Sequence, residues 1–177
     1  MTMNNSTNFG LDIIGATEFV EIARIKNIPA KVDTGADTSS IWASKINIEK
    51  DGTLNFVLFD NNSPLYTGEK LTSIDYTIKK VRSSHGDTQI RYSVPLELRI
   101  GNKILTTKFT LANRSRNNFP VLIGRRTING NFLVDVSKDA VGYKKKISTS
   151  AKLNQEMREN PYEFHQKYFQ KKEKGEL

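Results

Sequence analysis

The stretch from Val94 to Leu111 leaves this chain the least freedom. Val94, Leu96, Leu98 and Ile100 alternate with Pro95, Glu97 and Arg99, Gly101-Asn102 follows, and Leu105, Thr107, Phe109 and Leu111 repeat the same spacing. Successive side chains on a strand point to opposite faces, so this pattern buries one face and wets the other. Two such runs around a glycine-containing turn read as a hairpin. Leu54, Phe56 and Leu58 alternate with Asn55, Val57 and Phe59, which predicts a strand buried on both faces. Ile74, Tyr76 and Ile78 alternate with Asp75 and Thr77 and predict another strand. Val121 to Ile123 is a short apolar run, and Phe132 to Val136 follows the turn Asn129-Gly130. Turn signals at such short intervals argue for a sandwich or barrel rather than βαβ units. The expectation is an all-β domain over residues 10–141.

The flanks have a different character. Residues 1–9 are polar and asparagine-rich and are expected to be disordered or extended. They lack the basic and apolar regions of a signal peptide, so a cytoplasmic protein is expected. Residues 142–177 read as a basic helical tail. Ser150 is expected to cap a helix from Ala151 to Glu159. Asn160-Pro161-Tyr162-Glu163 then supplies an N-cap, a proline at the first helical position and a capping-box acid. From Gly142 onward nine basic residues face five acidic ones, half of the chain's +8 excess. A nucleic-acid partner has to be considered at that charge, but no basic–aromatic strand platform accompanies it, and none is expected. No apolar run is long enough for a membrane helix.

The 177 residues include no cysteine and two histidines far apart in sequence, His85 and His165. That excludes a thiol nucleophile, cysteine-ligated metals and a histidine-rich cluster. No His-Glu-x-x-His and no Walker loop is present, so neither a metal nor a cofactor is expected. The chemistry must come from oxygen groups. An apolar-leaning strand, Ile28 to Val32, delivers Asp33, followed by Thr34, Gly35 and Ala36. A carboxylate at a strand end beside a small hydroxyl and a glycine allows close approach of another backbone. Three residues match by chance easily, and an ordinary Asx turn would look the same. A second element, Val121-Leu-Ile-Gly-Arg125, lies about ninety residues downstream.

In this order, the two elements resemble the retropepsin-type aspartic proteases. The stretch from Gly15 to Asp139 is similar to a bacterial retropepsin-like family commonly labelled an ATP-dependent zinc protease and associated with RimK-type ligases. The matching segments are Gly15-Ala-Thr-Glu-Phe19, Ala30-Lys-Val-Asp-Thr-Gly-Ala36, Thr110-Leu-Ala-Asn-Arg-Ser115, Leu122-Ile-Gly-Arg125 and Phe132-Leu-Val-Asp135. The resemblance implies a retropepsin-like acid-protease barrel with a short C-terminal helical extension. It implies that Asp33 is catalytic, that Thr34, Gly35 and Ala36 support it, and that Ser84, His85, Gly86 and Asp87 form the tip of a flap. A histidine at a turn tip, such as His85, is more often simply a solvated residue.

Aspartic proteolysis needs two carboxyl groups sharing one proton about a water. The chain has a single Asp-Thr-Gly, so a homodimer pairing two copies of Asp33 is the economical solution. The implied activity is an aspartic endopeptidase acting on a peptide or protein substrate. A catalytically silent peptide-binding module on the same fold is the alternative. Arg91 and Arg114 are candidates for holding an acidic substrate of the kind RimK-type ligases produce. Asp37 departs from the bacterial pattern, which commonly has a basic residue there. The viral-type pattern has an aspartate, and its partner is the arginine after the glycine. A partly buried Asp37–Arg125 salt bridge is therefore expected beside the cleft.

Overall fold

A computed structural model of the chain describes residues 11–82, 88–142 and 149–169. They fall into two compact units, residues 11–142 and residues 149–169.

The expected hairpin is the backbone of the first unit. Strand β7 (Thr88–Ile100) pairs antiparallel with β8 (Lys103–Ala112) over eight register pairs, from Ser93↔Thr110 to Ile100↔Lys103. Val94, Leu98, Ile100, Phe109 and Leu111 are buried, while Glu97 and Arg99 are outside the core. Gly101 sits at φ 54°, in the left-handed region that a tight turn requires and a Cβ disfavours.

Around this hairpin one sheet forms. Strand β1 (Asp12–Ile22) turns back into β2 (Ile25–Val32), and β3 (Ser39–Ile48) runs parallel to β8. With β6 (Thr77–Arg82), the short β9 (Val121–Ile123) and β10 (Phe132–Asp139), the order is β10-β1-β2-β9-β3-β8-β7-β6. β1 also pairs with β7 through Val20↔Ile100 and Ile22↔Leu98. That extra pairing closes the sheet into a barrel, whose inward faces carry Ile22, Ile28, Ile41, Leu98, Phe109 and Ile123, all fully buried. The fold is therefore all-β and retropepsin-like.

β9 joins the two sequence elements in space. It is three residues long, yet it pairs parallel with β2 and antiparallel with β3. The register Val32↔Ile123 brings the end of β2 to the end of β9, so Asp33 and Gly124 emerge side by side. The single-turn helix α1 (Arg125–Ile128) comes directly after.

A smaller layer branches from β3. Strand β4 (Leu54–Leu58) pairs with the second half of β3 and with β5 (Lys70–Ser73). All five β4 residues are buried, and Asn55 is accommodated because its Nδ2 donates to Glu49 Oε1 at 2.6 Å.

The strand expected over Ile74, Tyr76 and Ile78 does not exist as one element. β5 stops at Ser73 and β6 starts at Thr77 because they belong to different ladders, β5 with β4 and β6 with β7. Ser73 Oγ donates to the Asp75 carbonyl at 2.8 Å and fixes the bend between them. Ile74 and Ile78 are consequently exposed, and Tyr76 packs edge-on against Tyr92.

In the second unit, α2 (Thr149–Glu159) begins two residues before the expected Ala151, so Ser150 is its second residue. Asn160 does cap α3 (Pro161–Tyr168): its side chain accepts from the Glu163 N–H at 3.2 Å, with Pro161 opening the helix. Glu156 of α2 binds both Lys167 and Tyr168 of α3.

Candidate active site

Asp33 stands one residue beyond β2. Its N–H donates to the Ile123 carbonyl at 2.9 Å, which extends the β2–β9 pairing by one step. The chain then folds back tightly. The Gly35 and Ala36 N–H groups donate to Asp33 Oδ1 at 3.1 and 3.2 Å. Two amides on one oxygen fix the carboxylate plane, and Oδ2 has no partner among the described residues. Asp33 is half-buried, while Thr34 and Gly35 are exposed.

The loop is clamped from the other side by α1. Its first N–H groups have no partner within so short a helix. They are taken up by the loop: Arg125 N–H donates to the Ala36 carbonyl at 2.8 Å and Arg126 N–H to the Asp37 carbonyl at 3.2 Å. Gly124 makes this possible. A Cβ there would lie 2.5 Å from the Thr38 carbonyl carbon and 2.7 Å from its oxygen.

Asp37 meets Arg125, as Oδ1 to Nη2 at 3.7 Å, but its tighter partner is Arg126, whose Nε donates to Oδ2 at 3.0 Å. The sequence reading missed Arg126. It is the next residue of the same short helix, and no spacing rule separates the two. All three side chains are more than half exposed, so the expected partly buried pair is a surface cluster instead.

Strand register gathers the remaining candidates. The pairs Lys31↔Leu122, Leu122↔Ser40, Ser40↔Thr110, Thr110↔Ser93 and Lys79↔Arg91 are adjacent steps across the sheet. Register partners share a face, as do residues two apart. Lys31, Arg91 and Lys79 therefore lie on one face, opposite the barrel core, and Asp33 and Arg114 stand two residues beyond Lys31 and Ala112 of that face. Arg114 is 9% exposed and its Nε donates to the Phe119 carbonyl at 3.0 Å. Burial pushes its guanidinium below the ordinary arginine value, Arg91's charge pushes the same way, and Asp33's charge pulls it back. Arg91 is itself lowered by burial, and holds Gln89 Oε1 through Nε and Nη2 at 3.1 and 2.8 Å. The structure thus places Arg91, Arg114 and Asp33 in one electrostatic neighbourhood.

The space beside the loop is a cleft of about 290 Å³ between Gly35–Thr38 and β6 residues Lys79–Arg82. A second hollow of about 490 Å³ shares Thr38 and Lys79 and adds Thr77, Thr106, Lys108 and Arg126. Lys79, Lys80, Arg82 and Lys108 have no ion-pair partner among the described residues. β6 and β7 are the two arms of the expected flap, paired as far as Arg82↔Thr88. Its tip, Ser84, His85, Gly86 and Asp87, lies outside the described residues.

These contacts differ in what they support. Gly124→Ala should lower stability by about 1–3 kcal/mol, because the new methyl meets backbone that has no room to retreat. Asp37→Ala should cost less than about 1 kcal/mol, as exposed ion pairs do. Urea denaturation of the two variants beside the parent chain measures both, and a larger loss for Asp37→Ala would contradict the packing argument.

Comparison with known proteins gives the same picture. Residues 13–145 match the family model described as RimB-like, retropepsin-like aspartic endopeptidase RimB. A protein from Shewanella pealeana named "Probable alpha-L-glutamate ligase" is 30% identical over 132 residues, covering 71% of this chain and 29% of its own. One of the same name from Desulfotalea psychrophila is 29% identical over 155 residues, covering 77% of this chain and 32% of its own. The chain thus spans about three-tenths of the length of these relatives. The crystal structure of Lpg0085 from Legionella pneumophila, a protein of unknown function, superimposes with a TM-score of 0.57 at 29% identity, over 73% of this chain and 97% of that one. With the Asp33 loop, the Gly124 crossing and the matched model in agreement, the chain belongs to the RimB-like family of retropepsin-like aspartic endopeptidases.

Proposed function

We propose that the protein is an aspartic-type endopeptidase whose dyad forms across a homodimer, one Asp33 from each copy. The observation that carries this reading is the Asp33 carboxylate itself. It is fixed at a strand end by two loop amides, and its Oδ2 has no partner among the described residues; the loop that holds it lines a cleft. Two such carboxylates a few ångströms apart cannot both ionise. The ionised one takes a proton from water, and the protonated one donates to the scissile carbonyl oxygen. The pair titrates as a unit. Thr34, exposed at the loop tip, is the residue assigned to brace the two loops against each other. The β6–β7 arms would lie along an extended peptide and add strand-like hydrogen bonds.

The substrate is an acidic peptide or protein. Arg91 and Arg114 lie within electrostatic reach of each other and of Asp33's neighbourhood, and Lys79, Lys80, Arg82 and Lys108, without an ion-pair partner among the described residues, line the cleft and the hollow beside the Asp33 loop. Relatives that carry the name "Probable alpha-L-glutamate ligase" support a glutamate-bearing substrate.

Two experiments test these statements. Asp33→Asn keeps the shape of the carboxyl group but cannot accept a proton, and in a homodimer it alters both halves at once. Cleavage of a peptide library should fall by more than the roughly 10²–10⁴-fold assigned to one general base. Equal activity in parent and variant would remove Asp33 from the mechanism. No cleavage by either, with peptide binding retained, would favour the silent binding module. Separately, Asp33→Asn protein should bind glutamate-rich peptides more weakly as salt rises. Adding Lys79→Ser and Lys108→Ser should lower that affinity by up to about tenfold and leave neutral peptides unchanged. Fluorescence anisotropy reads both, and salt-independent binding would sink the acidic-substrate reading.

A further inference from the structure

Three hydroxyls lie where the barrel interior is otherwise apolar. Ser39 is 1% exposed and Thr127 is 2% exposed, and Thr107 is half-buried. Ser39 is the register partner of Phe109, so it shares the inner face of the sheet with Thr107, two residues before Phe109. Unpaired hydroxyls there would be costly. None is unpaired: Thr107 Oγ1 and Thr127 Oγ1 are 2.8 Å apart, and Thr127 Oγ1 and Ser39 Oγ are 2.7 Å apart. At the far end of this relay, Ser39 Oγ accepts from the buried Gly124 N–H at 3.0 Å. The relay thus ties β8, α1 and β3 together at one point.

We infer that this relay positions Asp33. Thr127 sits in the single turn of α1, which has too few internal bonds to hold its own orientation. The same turn presents the Arg125 and Arg126 N–H groups to the Ala36 and Asp37 carbonyls, and Ala36 N–H binds Asp33 Oδ1. Rotation of α1 would move those carbonyls and with them the amides that orient the carboxylate. Thr127 prevents the rotation by bonding to a strand on each side. Ser39, Thr107 and Thr127 are positioning residues: none reaches the carboxylate itself. The kinetic consequence rests on the peptidase reading, whereas the positioning does not.

The test uses Thr127→Val, which keeps the shape and the Ser39–Gly124 bond but breaks the relay, and Thr127→Ser, which restores the hydroxyl. Thr107→Val, at the half-buried end, gives a second break with less risk to folding. Hydrogen exchange at the Gly35 and Ala36 amides should quicken about tenfold in both valine variants, return to the parent rate in Thr127→Ser, and stay unchanged at Leu98 and Phe109. In peptide cleavage, kcat should fall about tenfold or more with KM within about twofold, as small misplacement of a reacting group does. A fall in melting temperature alone, with Gly35 and Ala36 exchange and kcat unchanged, would overturn the inference and leave the hydroxyls as packing. A parent chain with no cleavage would refute the peptidase reading instead, and the exchange rates would still decide the relay.

Discussion

The contact between Gly124 and the backbone of Thr38 and Ser39 is the constraint on which the rest depends. Two chain segments about ninety residues apart cross there with no space for a methyl group. Because they cross so closely, the first amides of α1 reach the loop carbonyls, and the loop can close on Asp33. β9 brings Gly124 to this point by lying between β2 and β3. A three-residue strand would be marginal alone, but its neighbours on both sides complete its hydrogen bonds.

The polar groups around this crossing separate by depth. Inside, the hydroxyls of Ser39, Thr107 and Thr127 satisfy one another and the Gly124 amide. Outside, Asp37 is shared between Arg125 and Arg126 in water, where such a pair contributes little to stability. Arg114 lies between these cases. It is buried, its Nε is bonded to the Phe119 carbonyl, and it feels Arg91 and Asp33 at once. A cation held in that way keeps its place through a backbone carbonyl, with no salt bridge among the described residues.

The sequence was legible where the physics is local. Period-two alternation located β7 and β8, and Gly101 marked their turn because a left-handed residue there favours glycine. The buried strand β4 followed from apolar residues on both of its faces, Leu54, Phe56 and Leu58 on one and Val57 on the other, with Asn55 the single polar member. Asn160, Pro161 and Glu163 announced α3 through capping rules that operate within four residues. The same local reasoning failed across Ile74 to Ile78. Alternation cannot reveal that the chain leaves one ladder and joins another between Ser73 and Thr77.

For the candidate site, the sequence by itself determined the residue types. It set Asp33 before a small hydroxyl and a glycine, and a glycine–arginine pair after an apolar run, because each is a short contiguous pattern. Only the tertiary structure decided which groups meet. Arg126 rather than Arg125 binds Asp37 most closely, and Arg91 and Arg114 converge on the face that carries Asp33. Thr107 sits in an inward set not for apolar packing but to bond Thr127. The physical reason is that register between β2, β9, β3, β8 and β7 fixes these neighbours. Most of these pairings join segments far apart in the chain, so no local window contains them.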